Sequence, residues 1–244
     1  MRIPRIYHPD PLTVGQEVAL TADAANHLGR VLRLNPGHPV QLFNGDNHLY
    51  TAELAQVSRK SVTALIKSAS EDNRESTLSI HLAQAVSKGD RMDFVLQKAT
   101  ELGVTSFTPL FTEHSVVKLN AERLAKKQEQ WQKIVISACE QCGRNTVPEV
   151  RPAMQLSEWL ADERPFTLTL DPVASDSLAS IEPVQEVALL IGPEGGLSDT
   201  EIQQASDAGC HSVRIGPRVL RTETAALASV TALQLRFGDL AITP

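Results

Sequence analysis

Val187-Ala188-Leu189-Leu190-Ile191-Gly192-Pro193-Glu194-Gly195-Gly196-Leu197-Ser198 is the stretch that decides the fold class. Its first five residues are all apolar, the composition of a strand covered on both faces. Three glycines follow within the next five positions. Glycine permits positive φ and close approach of a ligand to the backbone. Ser198-Asp199-Thr200-Glu201 has capping-box spacing and predicts a helix start, with Gly209 as its end. The stretch therefore reads as strand, loop, helix, and open α/β sheets bind ligands at such strand ends. A phosphate loop does not fit. Leu197 stands where the Walker lysine belongs, G-x-G-x-x-G is absent, and Glu194 repels a phosphate. Taken alone, the loop reads equally as a ligand site or as a tight glycine-rich turn.

A second loop about twenty residues on changes that balance. Val213 to Ile215 is a short strand, Gly216-Pro217 a turn, and Arg218 and Arg221 flank the apolar Val219-Leu220 pair. Thr222 or Thr224 is a potential cap for a helix running to Phe237. That helix is apolar or small on most sides, so it is buried or lies in an interface. A loop between a buried strand and a buried helix lies near the core, where two arginines and a glutamate need a reason. Two such loops suggest one composite pocket.

The rest of the chain alternates in the same way. Leu78–Gln84, Phe107–Leu110 and Phe166–Leu170 read as strands. Met92, Val95, Leu96, Ala99 and Leu102 have helical spacing up to Gly103, and a long helix runs from Ala121 to Cys142 with Asn120 as its cap. This alternation means α/β with a mostly parallel sheet. The first seventy residues differ. Val18–Leu20, Val40–Phe43, Tyr50–Leu54 and Val62–Ile66 are short β-like pieces, with a hairpin turn at Asn44-Gly45-Asp46-Asn47 and a short helix over Asp23–Arg33. Polar residues 68–76 read as a linker. The expected domains are a small β-barrel over 1–70 and an α/β domain over 75–244.

Composition narrows the function classes. The net charge of −6 conceals an uneven distribution. From Pro152 to Ala205 the one basic residue, Arg164, faces ten acids, so the remaining chain is net positive. Nucleic-acid binding needs a local basic face, not a basic protein. Apolar runs are far shorter than a membrane span, and residues 1–9 lack the apolar core of a signal peptide, so a soluble cytoplasmic protein is expected. Cys139 and Cys142 form C-x-x-C late in a helical pattern. A zinc site needs four ligands and a redox pair usually opens a helix, so the cysteines are read as structural and no metal is expected.

IGPEGGLS (191–198) followed by IGPRVLRTETAAL (215–227) resembles the SPOUT class of RNA methyltransferases, and more closely the RsmE family of 16S rRNA uridine N3-methyltransferases. Lys98-Ala99-Thr100-Glu101-Leu102-Gly103-Val104, Pro109-Leu110, Glu140-Gln141-Cys142-Gly143-Arg144, Pro148, Arg5, His27 and Val31-Leu32-Arg33 match the family as well. The resemblance spans essentially the whole chain. It implies an N-terminal PUA-like RNA-binding barrel and a SPOUT sheet with a C-terminal trefoil knot. Periodicity shows no such knot. It implies S-adenosylmethionine as cofactor, held by Leu170, Leu190, Ile191, Gly192, Pro193, Glu194, Gly195, Gly196, Ile215, Gly216, Arg218, Leu220, Arg221, Thr222 and Thr224. It also implies 16S rRNA or the small ribosomal subunit as partner and a homodimer, and the uneven charge makes Arg2, Arg5, Arg30, Arg33, Lys88 and Arg91 candidates for its RNA face. Uracil N3 carries a proton at neutral pH, so its methylation needs help in removing that proton or in stabilising the anion. Arg221 and Arg144 suit the stabilising role. Glu223, then Glu140, are the candidate bases, and each glutamate equally suits the role of arginine partner. The alternative on the same fold is a non-catalytic RNA-binding ribosome-assembly factor.

Overall fold

A computed structural model describes residues 3–58, 61–115 and 120–241. The chain folds as two units, one comprising residues up to Glu75 together with Cys139–Val147, the other Ser76–Ala138 and Pro148 onward.

The first unit is built on a five-stranded sheet of order β1-β3-β4-β5-β2, from β1 (Arg5–Tyr7), β2 (Glu17–Ala19), β3 (Pro39–Phe43), β4 (His48–Val57) and β5 (Val62–Glu71). β1 runs parallel to β3 and every other pairing is antiparallel. Leu28, Val40, Leu42, Leu54, Ala64 and Ile66 are buried together. The apolar alternation of β4 supplies the inner face (Tyr50, Ala52, Leu54) and its polar partners face water. The turn between β3 and β4 carries positive φ at Gly45 and Asn47, as its composition predicts. α1 (Ala22–Ala25), capped by Thr21, continues into a π-helical turn over Asn26–Val31.

Two readings change here. Ser68–Glu71 are not linker but the second half of β5, paired with His48–Thr51. Their side chains are exposed, so the backbone ladder holds them and polarity gave no strand signal. β1 carries no period long enough to detect. It is fixed by its ladder and by Glu140, whose Oε1 accepts the Tyr7 N–H at 3.0 Å.

The second unit contains β6 (Ser79–Ala85), α2 (Arg91–Glu101), β7 (Ser106–Phe111), α3 (Ala121–Cys142, its last turn counting with the first unit), β8 (Glu149–Val150), β9 (Met154–Gln155) and α4 (Leu156–Ala161). β10 (Thr167–Leu170), β11 (Glu186–Ile191), α5 (Asp199–Asp207), β12 (His211–Val213) and α6 (Thr222–Phe237) complete it. Strand order is β12-β10-β11-β6-β7-β8, with β9 also on β7, and every pairing is parallel. β6 and β11 are buried along nearly their whole length, which explains the continuous apolar run of β11; β6 buries His81 and Gln84 among its apolar residues. Asn120 Oδ1 accepts the Arg123 N–H at 2.9 Å and so caps α3. β12 ends at Val213, two residues earlier than the apolar pattern predicts. α6 begins at Thr222 with Arg221 in the cap position, because the Thr222 hydroxyl is used elsewhere.

His81 sits on β6 against the Trp159 ring, with Nδ1 2.7 Å from Ser106 Oγ and Nε2 3.1 Å from Thr108 Oγ1. Burial, aided by Arg151, lowers its pKa to about 4. The unfolded chain therefore binds this proton first, and the native state loses stability as pH falls from about 6.5 to about 4, by on the order of 3 kcal/mol. His81→Gln is expected to remove that component. Denaturation midpoints of both proteins between pH 7 and 4 check it: the difference between them should shrink as pH falls.

Candidate functional site

β11, β10 and β12 are adjacent and parallel, so their C-terminal ends leave the sheet at the same edge. The three exit segments meet around a cavity of about 370 Å³. Leu170, Asp171, Pro172 and Val173 come from the first, Ile191 to Leu197 from the second, and Arg214, Ile215, Gly216, Arg218, Val219 and Leu220 from the third. Asp199, Ile202, Thr222 and Ala225 close it from α5 and α6. The two loops singled out in sequence thus form one composite pocket.

Local geometry shows why the glycines are there. Gly196 has φ +74°, a conformation L side chains rarely adopt. A Cβ on Gly192 would lie 2.9 Å from Leu197 N and 3.1 Å from Gly196 C, because the turn folds back onto it. His114 Nδ1 donates to the Gly196 carbonyl at 3.0 Å. The capping box forms in both directions between Ser198 and Glu201, and Glu201 also accepts the Glu113 N–H at 2.8 Å. The Thr222 hydroxyl donates to the Gly192 carbonyl at 2.6 Å while accepting from Gln84 Nε2 at 2.9 Å.

Asp171 is 7% exposed, and its Oδ1 accepts the Val173 N–H at 3.0 Å. It is the buried carboxylate of the cavity wall, and the sequence reading passed over it. Its signal was a carboxylate at the end of a third strand, the same position the glycine loop holds on β11. Val173 and Val219 also line the cavity yet are 85% and 81% exposed, apolar groups at its mouth left to solvent.

Beside the loop, Glu194 Oε1 accepts from Arg91 Nη1 at 2.6 Å and from the Lys88 N–H at 3.0 Å. Burial pushes its carboxyl up. The backbone donors and the Arg91 guanidinium outweigh that and hold it below its ordinary value. Arg91 Nε is also 3.9 Å from Glu223 Oε1.

Of the residues expected at a cofactor site, Leu190, Arg221 and Thr224 are not on this wall. Leu190 is wholly buried in β11, Arg221 is exposed at the α6 cap, and Thr224 faces a groove on the other side of α6. Lys88 and Arg91 flank the loop. Arg2 lies outside the described residues.

Within the first unit, Arg144 is 5% exposed and pairs with Glu75 through two hydrogen bonds, Nε to Oε1 at 2.9 Å and Nη2 to Oε2. Arg5 Nη2 donates to Asn145 Oδ1 at 2.8 Å, and its guanidinium lies over the Phe43 ring at 4.9 Å. Burial raises the Glu140 carboxyl against the Tyr7 N–H that lowers it. Arg144 and Glu140, expected to act on a substrate, here brace the last turn of α3 and the segment after it against Glu75 and β1. Cys139 is buried and its Sγ lies 3.5 Å from the Thr146 carbonyl, while burial pushes its thiol up to about 12, so it stays protonated. Arg30 and Arg33 are exposed, and Arg33 has φ +53°.

Residues 74–234 match the model of the RNA methyltransferase domain, and residues 20–67 that of the RNA methyltransferase PUA domain. The chain is 37% identical over 242 residues to ribosomal RNA small subunit methyltransferase E of Buchnera aphidicola subsp. Schizaphis graminum, covering 98% of each chain. The chain belongs to this RNA methyltransferase family. The family's enzyme from Neisseria gonorrhoeae, solved bound to S-adenosyl methionine, superposes with a TM-score of 0.91 at 42% identity, covering 98% of this chain and all of that one. A Legionella pneumophila protein solved with bound SAM gives 0.95 at 47%, with the same coverage. The fold is the SPOUT-type parallel sheet with an N-terminal PUA domain, as the sequence resemblance implied.

A bracing role for Arg144 predicts a stability effect. Arg144→Leu leaves Glu75 without its partner and should cost about 3–5 kcal/mol. The double variant Arg144→Leu/Glu75→Leu should recover most of it. Urea denaturation of the three proteins tests this; equal losses in the single and double variants would rule out the pair as the cause.

Proposed function

We propose that the chain methylates N3 of a uridine in 16S ribosomal RNA with S-adenosylmethionine, working as a homodimer in the cytoplasm. The observation that carries this reading is the cavity at the ends of β10, β11 and β12. Its apolar walls (Leu170, Ile191, Ile202, Ile215, Leu220) suit a flat heteroaromatic ring, and its backbone polar groups suit directional hydrogen bonds. Asp171 and Glu194 suit hydroxyl or ammonium groups and tolerate a sulfonium charge. S-adenosylmethionine combines these parts and supplies the methyl group when bound. A chain serving only to bind RNA has no need of this cavity.

The trefoil knot has specific support. The β10–β11 connection pairs with the segment after β12, through Leu178 N–H to Arg214 O and Arg214 N–H to Asp176 O. It is also tied to the end of α6 by Arg236, which donates to the Leu178 and Ile181 carbonyls. From edge strand β12 the chain returns to lay α6 against α2, β6 and β11. These contacts suit a connection that crosses the C-terminal segment, as a knot requires. Support for the homodimer is an apolar groove in which Phe94 faces Leu227, Ala228, Ala232 and Leu235 of α6.

The charged candidates separate by position. Arg221 is exposed, next to Thr222 on the cavity wall, and suits stabilisation of negative charge on uracil. Arg30 and Arg33 suit phosphate contacts from the PUA domain, with Lys88 and Arg91 beside the cofactor loop.

Gly196→Val forces a branched side chain into positive φ. It should abolish S-adenosylmethionine binding in calorimetry while circular dichroism stays native, and a normal affinity would remove the loop from the cofactor site. Arg30→Ala/Arg33→Ala should weaken RNA binding and flatten its dependence on salt by about two phosphate contacts, with cofactor affinity unchanged. Filter binding between 50 and 200 mM salt gives that slope, and an unaltered slope excludes these arginines.

A further inference from the structure

Next to the cofactor cavity lies an open cleft of about 630 Å³, lined by Lys88, Gly89, Asp90, Arg91, Phe94 and Glu223. Two features join it to the cavity. Arg91 and the Lys88 N–H hold Glu194 of the cofactor loop, and Glu223 follows Thr222 of the cavity wall. Glu223 is a carboxylate short of donors. Among the described residues its enclosed Oε2 has no hydrogen-bond partner, and Oε1 is 3.9 Å from Arg91 Nε, beyond hydrogen-bond reach. An enclosed carboxylate oxygen without a donor is costly and suggests a functional role for the group.

The cleft thus presents an acceptor-only group and a donor-only group side by side. The Watson–Crick edge of uracil presents the complement, a donor at N3–H flanked by acceptors O4 and O2. Cytosine presents an acceptor at N3 and a donor at N4, which sets acceptor against acceptor and donor against donor. Resting on the reading of the chain as a uridine N3-methyltransferase, we propose that Glu223 and Arg91 are the pair that selects the target uracil and prepares N3 for reaction. Glu223, by a rotation of its carboxylate that turns an oxygen into the cleft, accepts the N3–H. The Arg91 guanidinium faces a flanking carbonyl and stabilises the charge that develops there. The step balances. The N3–H bond breaks and its proton passes to the carboxylate of Glu223. The N3 lone pair forms the new bond to the methyl carbon. The sulfur–methyl bond breaks with its electron pair retained by sulfur, and Glu223 returns its proton to water.

The test is single-turnover methyl transfer to an RNA fragment carrying the target uridine, with S-adenosylmethionine affinity measured separately by calorimetry. Glu223→Gln should lose about 10²-fold or more in rate at neutral pH, the usual size for a lost general base, with cofactor affinity within a few-fold of wild type. The deficit should narrow as pH rises toward ionisation of N3, and should narrow again with 5-fluorouridine, whose N3–H is more acidic. A merely structural role does not respond to substrate acidity. Glu223→Asp should keep part of the neutral-pH rate. Arg91→Lys keeps a charge beside Glu194 but loses the planar fork, and should reduce discrimination between uridine and cytidine at the target position by more than any change in cofactor affinity measured alongside it. A Glu223→Gln rate near wild type, or a deficit indifferent to both pH and fluorination, overturns the proposal. A wild-type chain that binds S-adenosylmethionine but leaves uridine unmodified overturns both this proposal and the reading beneath it.

Discussion

The Thr222 hydroxyl stands between two parts of the chain that arrive from different directions. It donates to the carbonyl of Gly192 at the start of the β11 loop, and it accepts from Gln84 at the C-terminal end of β6. All three groups are buried or nearly so, where a hydrogen bond is costly to leave unmade. This one contact fixes the first turn of α6 against the glycine loop. The cavity walls on both sides depend on it, since Gly192 and Thr222 both line the cavity. It also sets where Glu223 must lie, one residue along α6.

The neighbouring bonds show the same economy of position. Glu194 is held by a guanidinium and a backbone N–H, Gly196 by His114, and Ser198 by the reciprocal capping box. The loop is tied at three points to three different elements: α2, the segment after β7, and α5. A loop so anchored keeps its backbone polar groups in fixed directions, the condition for recognising a ligand at small entropic cost. The exposed valines at its mouth are the part left for a ligand to cover.

Much of this was legible in sequence because strong local patterns coincide with tertiary demands. The continuous apolar run of β11 marks a strand covered on both faces, and it is one. The S-x-x-E spacing at 198–201 gave the start of α5, and Asn120 gave the start of α3. What escaped were features without a local signature. β1 is three residues held by distant partners, and the second half of β5 is polar because its side chains face solvent. Thr222 has the composition of a cap, yet its hydroxyl was recruited across thirty residues of chain. No propensity records that.

The site residues divide along the same line. Backbone-dominated positions around the glycine loop fall on the cavity wall, since glycine spacing and strand ends are read directly from order in the chain. Charged residues are harder, because a charge acts through whichever partner the fold brings to it. Arg144 and Arg221 look alike in sequence, each a guanidinium beside the end of a helix. In the structure one is buried in a two-point pair with Glu75, and the other is exposed beside the cavity. Glu140 and Glu223 diverge in the same way. Glu140 has its donor in the Tyr7 N–H, whereas Glu223 keeps an oxygen with none among the described residues. Asp93 also keeps one enclosed oxygen without a donor among the described residues, but its other oxygen accepts from Gln130 at 2.9 Å, whereas Glu223 has no hydrogen bond of that kind and lines the cleft beside the cofactor loop.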